Sequence, residues 1–122
     1  MKIPVLFTRG RPVFSFEFFQ PKTPADDAAF RETVGRLKEL SPDFVTITYG
    51  AAGSAREKTF ETAEWIRRGA GLETAAHLTC VSHTREELSA ILDRLRSAGI
   101  ENIVALRGDA PKDAAVPAAA RR

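Results

Sequence analysis

The sequence predicts an α/β fold with a parallel sheet, and three observations carry the prediction. Four short segments rich in β-branched and aromatic residues alternate with three segments of helical periodicity. Each helical segment has its own start and stop signals. Polar residues recur near the carboxyl ends of the strand segments at intervals of about thirty residues, the length of one strand–helix unit in a barrel.

The first strand is expected over residues 13–19. A helix follows over residues 24–40, with Phe30, Val34 and Leu37 on one face. Thr23-Pro24-Ala25-Asp26 opens it with a capping hydroxyl, a proline at the first helical position and a carboxylate three residues after the cap. Ser41-Pro42 closes it. The second strand is expected over 44–49 and the second helix over 55–68, where Phe60, Ala63 and Ile66 are the apolar positions. Ser54-Ala55-Arg56-Glu57 repeats the capping spacing, and Gly69 and Gly71 follow as stops. The third strand spans 74–79. The third helix spans 85–98, where Leu88, Ile91, Leu92 and Leu95 fill the i, i+3, i+4, i+7 template, with Thr84-Arg85-Glu86-Glu87 before it and Gly99 after it. The fourth strand spans 102–106.

Strand–helix alternation implies right-handed crossovers between parallel strands. Two architectures satisfy it, an open doubly wound sheet and a (β/α) barrel. A dinucleotide-binding sheet places a glycine-rich turn after its first strand, and here Gln20-Pro21-Lys22-Thr23 contains no glycine. The regular spacing favours a (β/α)8 TIM barrel, of which residues 1–111 supply about the first half, βαβαβαβ, with four parallel strands. Residues 112–122 are alanine-rich and are expected to be a disordered tail.

The net charge of +2 and the absence of a basic stripe with interleaved aromatics exclude nucleic acid as an expected partner. Arg67-Arg68 falls where a helix ends and suits the helix dipole. One cysteine, Cys80, cannot form an internal disulfide; it reads as a structural thiol at a buried strand end in a reducing compartment. No apolar run is long enough to span a membrane. Residues 1–11 lack the apolar region and cleavage site of a signal peptide, so a cytoplasmic location is expected. No histidine–carboxylate–cysteine grouping suggests a metal site.

Side chains alternate faces along a strand. Glu17 shares a face with Ser15, and Thr48 with Thr46. His77 goes with Ala75 and Thr79, and Arg107 with Ile103 and Ala105, with Asp109 next in parity. Glu17, Thr48, His77 and Arg107/Asp109 are therefore expected to line one opening at the carboxyl ends of the strands, where barrel enzymes collect ligand and catalytic groups. Each has a duller reading: Glu17 as a structural ion pair, Thr48 as a strand former, His77 as a hydrogen-bonded histidine, Arg107-Gly108-Asp109 as a solvated turn. Burial of Glu17 among Phe14, Phe16, Phe18 and Phe19 is expected to raise its pKa, which suits a general acid. Tyr49-Gly50-Ala51-Ala52-Gly53 supplies a small-residue loop that a bulky ligand could approach. His83, just before a helix cap, is expected on the surface.

The segments 14–23, 44–51, 76–80 and 103–109, taken in order, resemble the catalytic barrel of the methylenetetrahydrofolate reductase family, over residues 13–111. The resemblance implies a (β/α)8 barrel holding FAD, with NAD(P)H as co-substrate. The reaction would turn 5,10-methylenetetrahydrofolate into 5-methyltetrahydrofolate, in the one-carbon metabolism that feeds methionine synthesis. By position Glu17 matches the general acid that protonates the folate. Asp109 matches the aspartate that tunes the flavin and orients the substrate. Thr48 matches a residue contacting nicotinamide and flavin. Tyr49, Ala51, His77, Arg107 and Gly108 match flavin-contacting positions. Gln20 stands where the family has proline, a change expected to matter little. Four strands without closure would leave two edges and one sheet face uncovered. The expected partners are therefore the folate and a second chain or second copy completing the barrel. The other reading is an inactive or partner-requiring half barrel that acts only as an assembly subunit.

Overall fold

A computed structural model describes residues 1–50 and 53–109. The tail at 112–122 lies outside the described residues. A 3-10 helix, Ile3–Thr8, opens the chain; β1 (Ser15–Phe18), α1 (Pro24–Lys38), β2 (Phe44–Ile47), α2 (Gly53–Trp65), β3 (Thr74–Thr79), α3 (Arg85–Ser97) and β4 (Asn102–Leu106) follow in order. The strands pair in parallel in the order β1-β2-β3-β4. This sequential order separates the two architectures. A doubly wound sheet reverses its strand order at a switch point, whereas a barrel adds each strand beside the last. The chain has the arrangement of the first half of a (β/α)8 barrel.

All three helices cover one sheet face. Phe18, Val45, Ile47, Ala76 and Leu78 from the strands pack with Val34, Phe60, Ala63, Ile66 and Leu95 from the helical layer. The phenylalanines of β1 belong to this layer. Phe14, Phe16, Phe18, Phe30 and Trp65 form a chain of ring contacts running from β1 through α1 to α2. Arg94 of α3 ties that helix to α2 through Glu64 and Glu57, both at 2.6 Å. Leu92 fills the helical template but is exposed, on the helix preceding the edge strand β4.

Two of the three expected caps form. Thr23 with Asp26 and Thr84 with Glu87 each make a complete capping box. Ser54 does not cap: α2 already begins at Gly53, so Ser54 lies inside the helix. At its other end α2 widens into a π turn, Ile66–Ala70, closed by Gly71 in the left-handed region at φ 71°. The strands β1 and β2 are shorter than expected, although Thr48 N–H still donates to Phe18 O at 3.0 Å.

The 3-10 helix was not foreseen. It lies against the amino ends of the strands, where Leu6 is buried, and the Asn102 amide donates to Met1 O while its carbonyl accepts from Ile3 N–H. Among the described residues, no helix is long and apolar enough to cross a membrane.

Candidate active site

The sheet face that no described helix covers is fixed by strand register. Glu17 is the partner of Thr46, Thr46 of Ala75, and Ala75 of Asn102. Paired residues of a parallel ladder point to the same side, so these four share the face opposite the helices. His77, two residues beyond Ala75, has the same parity and pairs with Val104. This corrects the expectation for β4. Asn102, Val104 and Leu106 share the face of Glu17, while Ile103 packs with the helical core. A periodicity of two gives two possible faces, and only the partner strand selects between them.

The carboxylate of Glu17 reaches across β2. Its Oε2 accepts from Thr46 Oγ1 at 3.1 Å and lies 3.2 Å from His77 Nε2. The His77 side chain is 13% exposed and that of Glu17 57% exposed. The expected burial of Glu17 is therefore absent. Phe14, Phe16 and Phe18 lie on the opposite side of the sheet and Phe19 is 81% exposed, so none of them screens it from water. Thr46, nearly buried, is the partner that the sequence reading passed over in favour of Thr48. Its parity was the available signal. Thr48 is half-buried just past β2 and continues the same extended pairing.

The loops after β3 and β4 run together. Cys80 N–H donates to Leu106 O at 2.9 Å and Val81 N–H to Arg107 O at 3.0 Å. Gly108 sits at φ 86°, and a Cβ there would stand 2.2 Å from Thr79 Cγ2 and 2.5 Å from Val81 Cγ1. Only glycine fits that crossing. Arg107 and Asp109 are exposed beyond the carboxyl end of β4. Cys80 is exposed too, contrary to the buried thiol expected.

Tyr49 turns towards the helical layer. Its ring packs on Phe60 and on His83, and its hydroxyl lies 2.5 Å from His83 Nε2. Burial raises the Tyr49 hydroxyl pKa above its ordinary value, and the nearby Arg56 guanidinium opposes that rise. The His83 side chain is 2% exposed, so the expected surface position is corrected. Tyr49 from the β2 loop and Arg56 from α2 cover a ring that its own neighbours in sequence leave open. Ala51 lies outside the described residues.

Gln20 has a larger part than expected. Thr59 Oγ1, fully buried, donates to Gln20 Oε1 at 2.6 Å and accepts from Gly50 N–H at 2.9 Å. A Cβ on Gly50 would meet Gln20 Nε2 at 2.3 Å. The loops after β1 and β2 are thus locked to α2 through one hydroxyl. Among the described residues, no group of three or more histidine, cysteine or acidic side chains could hold a metal ion.

Comparison with known proteins follows the same lines. The family model described as methylenetetrahydrofolate reductase matches residues 2–121. The 5,10-methylenetetrahydrofolate reductase of Pectobacterium carotovorum subsp. carotovorum is 41% identical over 109 residues, which is 89% of this chain and 37% of that protein. The protein of the same name from Escherichia coli (strain K12) is 40% identical over the same shares. Methylenetetrahydrofolate reductase (NADH) 1 of Arabidopsis thaliana is 41% identical over 110 residues, covering 90% of this chain and 19% of that relative. The chain thus spans little more than a third of its bacterial relatives, and its four strands correspond to part of a larger barrel. It belongs to the methylenetetrahydrofolate reductase family.

Proposed function

We propose that the chain carries the proton-donating wall of a methylenetetrahydrofolate reductase site, converting 5,10-methylenetetrahydrofolate to 5-methyltetrahydrofolate with NADH or NADPH. The carrying observation is the Glu17 carboxylate held by Thr46 and near His77 on the uncovered face. In this reading Glu17 gives its proton to a nitrogen of the folate's methylene bridge as that C–N bond breaks, and the bridge carbon becomes the hydride acceptor. Thr46 and His77 fix the position of the carboxyl group through Oε2. Asp109 is assigned the orientation of the folate.

The donor set also suits FAD. A hydroxyl (Thr48), an imidazole (His77) and a carboxylate (Glu17) line one side of an uncovered surface, and Arg107, Gly108 and Asp109 follow the end of β4. These groups match the polar edge of a flat heteroaromatic ring. Thr48, Tyr49, Ala51, His77, Arg107, Gly108 and Asp109 are the residues proposed to hold it. Bound FAD would supply the electron carriage between nicotinamide and folate. Excluding water from Glu17 falls to groups beyond the described residues, in a longer chain, a second chain or a second copy.

The test is a titration of FAD with the purified chain, alone and mixed with the remaining two thirds of a bacterial relative. Quenching of flavin fluorescence is expected. No quenching in either mixture would sink the flavin reading.

A second reading, an assembly subunit without chemistry, is favoured by the edges of the sheet. Strands β1 and β4 are its edges, and Phe14, Phe19 and Leu106 nearby are 44%, 81% and 41% exposed. That reading requires a stable oligomer. Sedimentation of a folded monomer counts against it.

A further inference from the structure

Strands β1 and β4 each have one neighbour among the described residues, and their inner hydrogen bonds fix what their outer edges offer. On β1, Phe14 O and Phe18 O accept from Asp43 and Thr48 N–H on the β2 side. Ser15 and Glu17 therefore turn their backbone groups outward. On β4, Leu106 O accepts from Cys80 N–H on the β3 side, so Ile103 and Ala105 turn theirs outward. In a parallel ladder a residue facing the partner strand sits opposite one that faces away from it. If the two edges pair, Ser15 and Glu17 must stand opposite Val104 or Leu106, and a slip of one residue is excluded.

Barrel closure selects the same register. Once round an eight-stranded barrel, strand tilt returns the ladder about eight residues earlier in the starting strand. Two identical halves share that step, about four residues each. From Glu17 the ladder runs to Thr46, Ala75 and Asn102, so the next partner on a further β1 is Val13. Ser15 then falls opposite Val104 and Glu17 opposite Leu106.

We infer that a second copy of this chain completes the barrel about a two-fold axis, with β1 of each copy pairing in parallel with β4 of the other in this register. Ser15 N–H donates to Ile103 O, and Ala105 N–H to Ser15 O. Charge is complementary along the seam, which fixes register. Exposed Arg11 comes level with exposed Glu101 at the amino end, and exposed Glu17 with exposed Arg107 at the carboxyl end. The first of these pairs extends ion pairs made within each copy, Arg11 with Asp43 and Glu101 with the amino terminus. Exposed Phe14 meets Ile103 on the helical side. The symmetry makes both seams identical and leaves no edge open. Leu106 of the second copy comes beside Glu17 and displaces water from it. That benefit rests on the reductase reading; the register does not.

The test is made in a Cys80→Ser background, free of the exposed native thiol. Ser15 and Val104 of one copy stand three strand spacings apart, roughly 14 Å, and a disulfide spans at most about 7 Å between Cα atoms. A disulfide between Ser15→Cys and Val104→Cys therefore joins two copies. Sedimentation is expected to show a dimer, and mild oxidation of the double variant a covalent dimer. Ser15→Cys with Ile103→Cys, on opposite sides of the sheet, is expected to lose the cross-link. Ala105→Pro removes an edge N–H that no strand of its own copy uses, and is expected to lose the dimer in a folded chain. Where that variant fails to fold, the cysteine pairs decide. A folded monomer, an open-ended string of copies, or a dimer cross-linked only through Ile103→Cys overturns the inference. So does a chain that stays monomeric alone yet binds the remaining two thirds of a bacterial relative. FAD added to the covalent dimer separates the claims: unquenched flavin removes the flavin reading and leaves the interface standing.

Discussion

Glu17 on β1 reaches over β2 to His77 on β3, with Oε2 3.2 Å from Nε2. Two strands that do not pair with each other are thus joined by side chains across the uncovered face, with Thr46 beneath the bridge.

Glu17→Gln keeps the size and one acceptor of the carboxylate but removes the proton to be donated. In the chain completed by the remaining barrel of a relative, folate reduction is expected to fall by about 10²–10⁴-fold, the usual worth of a general acid. Flavin binding and flavin reduction by the nicotinamide are expected to persist, since neither needs that proton. Single-turnover measurement of the two half-reactions checks this. Equal loss in both halves would remove Glu17 from the role of acid.

Gly108→Ala is expected to destabilise the chain by about 1–3 kcal/mol, because it adds backbone strain at a left-handed φ. The new methyl would also collide with Thr79 and Val81, so the loops after β3 and β4 would have to separate. Urea unfolding measures the loss. A variant as stable as the parent would show that the two loops are not packed as described.

Asp43 closes the approach to β1. It accepts from Phe14 N–H at 3.0 Å and pairs with Arg11 at 2.5 Å. The Arg11 guanidinium first, then the Phe14 amide, hold the Asp43 pKa below its ordinary value. A carboxylate lowered in the folded state contributes stability that is full above its unfolded pKa and lost as pH falls through the folded one. Asp43→Asn is therefore expected to be less stable than the parent at neutral pH. The gap should close below about pH 4, the ordinary aspartate range. Thermal midpoints of both chains across that range test it, and a gap independent of pH would contradict it.

Cys80 is exposed, so dithionitrobenzoate is expected to label one equivalent in the native chain without denaturant. Circular dichroism should be unchanged after labelling. A thiol that reacts only after unfolding would place Cys80 inside the protein.

Much of the fold was legible in the sequence because its signals are local. Thr23 with Asp26 and Thr84 with Glu87 announce helix starts through contacts three residues apart. Gly71 and Gly99 mark stops through their own backbone conformation. The bounds of β3 and β4 were read directly from their composition. At the site, Glu17 and His77 were legible as a shared strand face. Thr46 was available in the same pattern and passed over.

The sequence by itself determined the order of strands and helices, because capping, periodicity and turn chemistry act within a few residues. Tertiary structure alone decided which face each strand presents and what is buried. Pairing His77 with Val104 turned β4 by one residue from its expected face. Tyr49 and Arg56 arrived from other elements to enclose His83. Phe16 and Phe18, on either side of Glu17, went to the helical layer and left the carboxylate exposed. Burial is set by neighbours distant in the chain, and register by a partner strand, so neither is written in a segment's own residues.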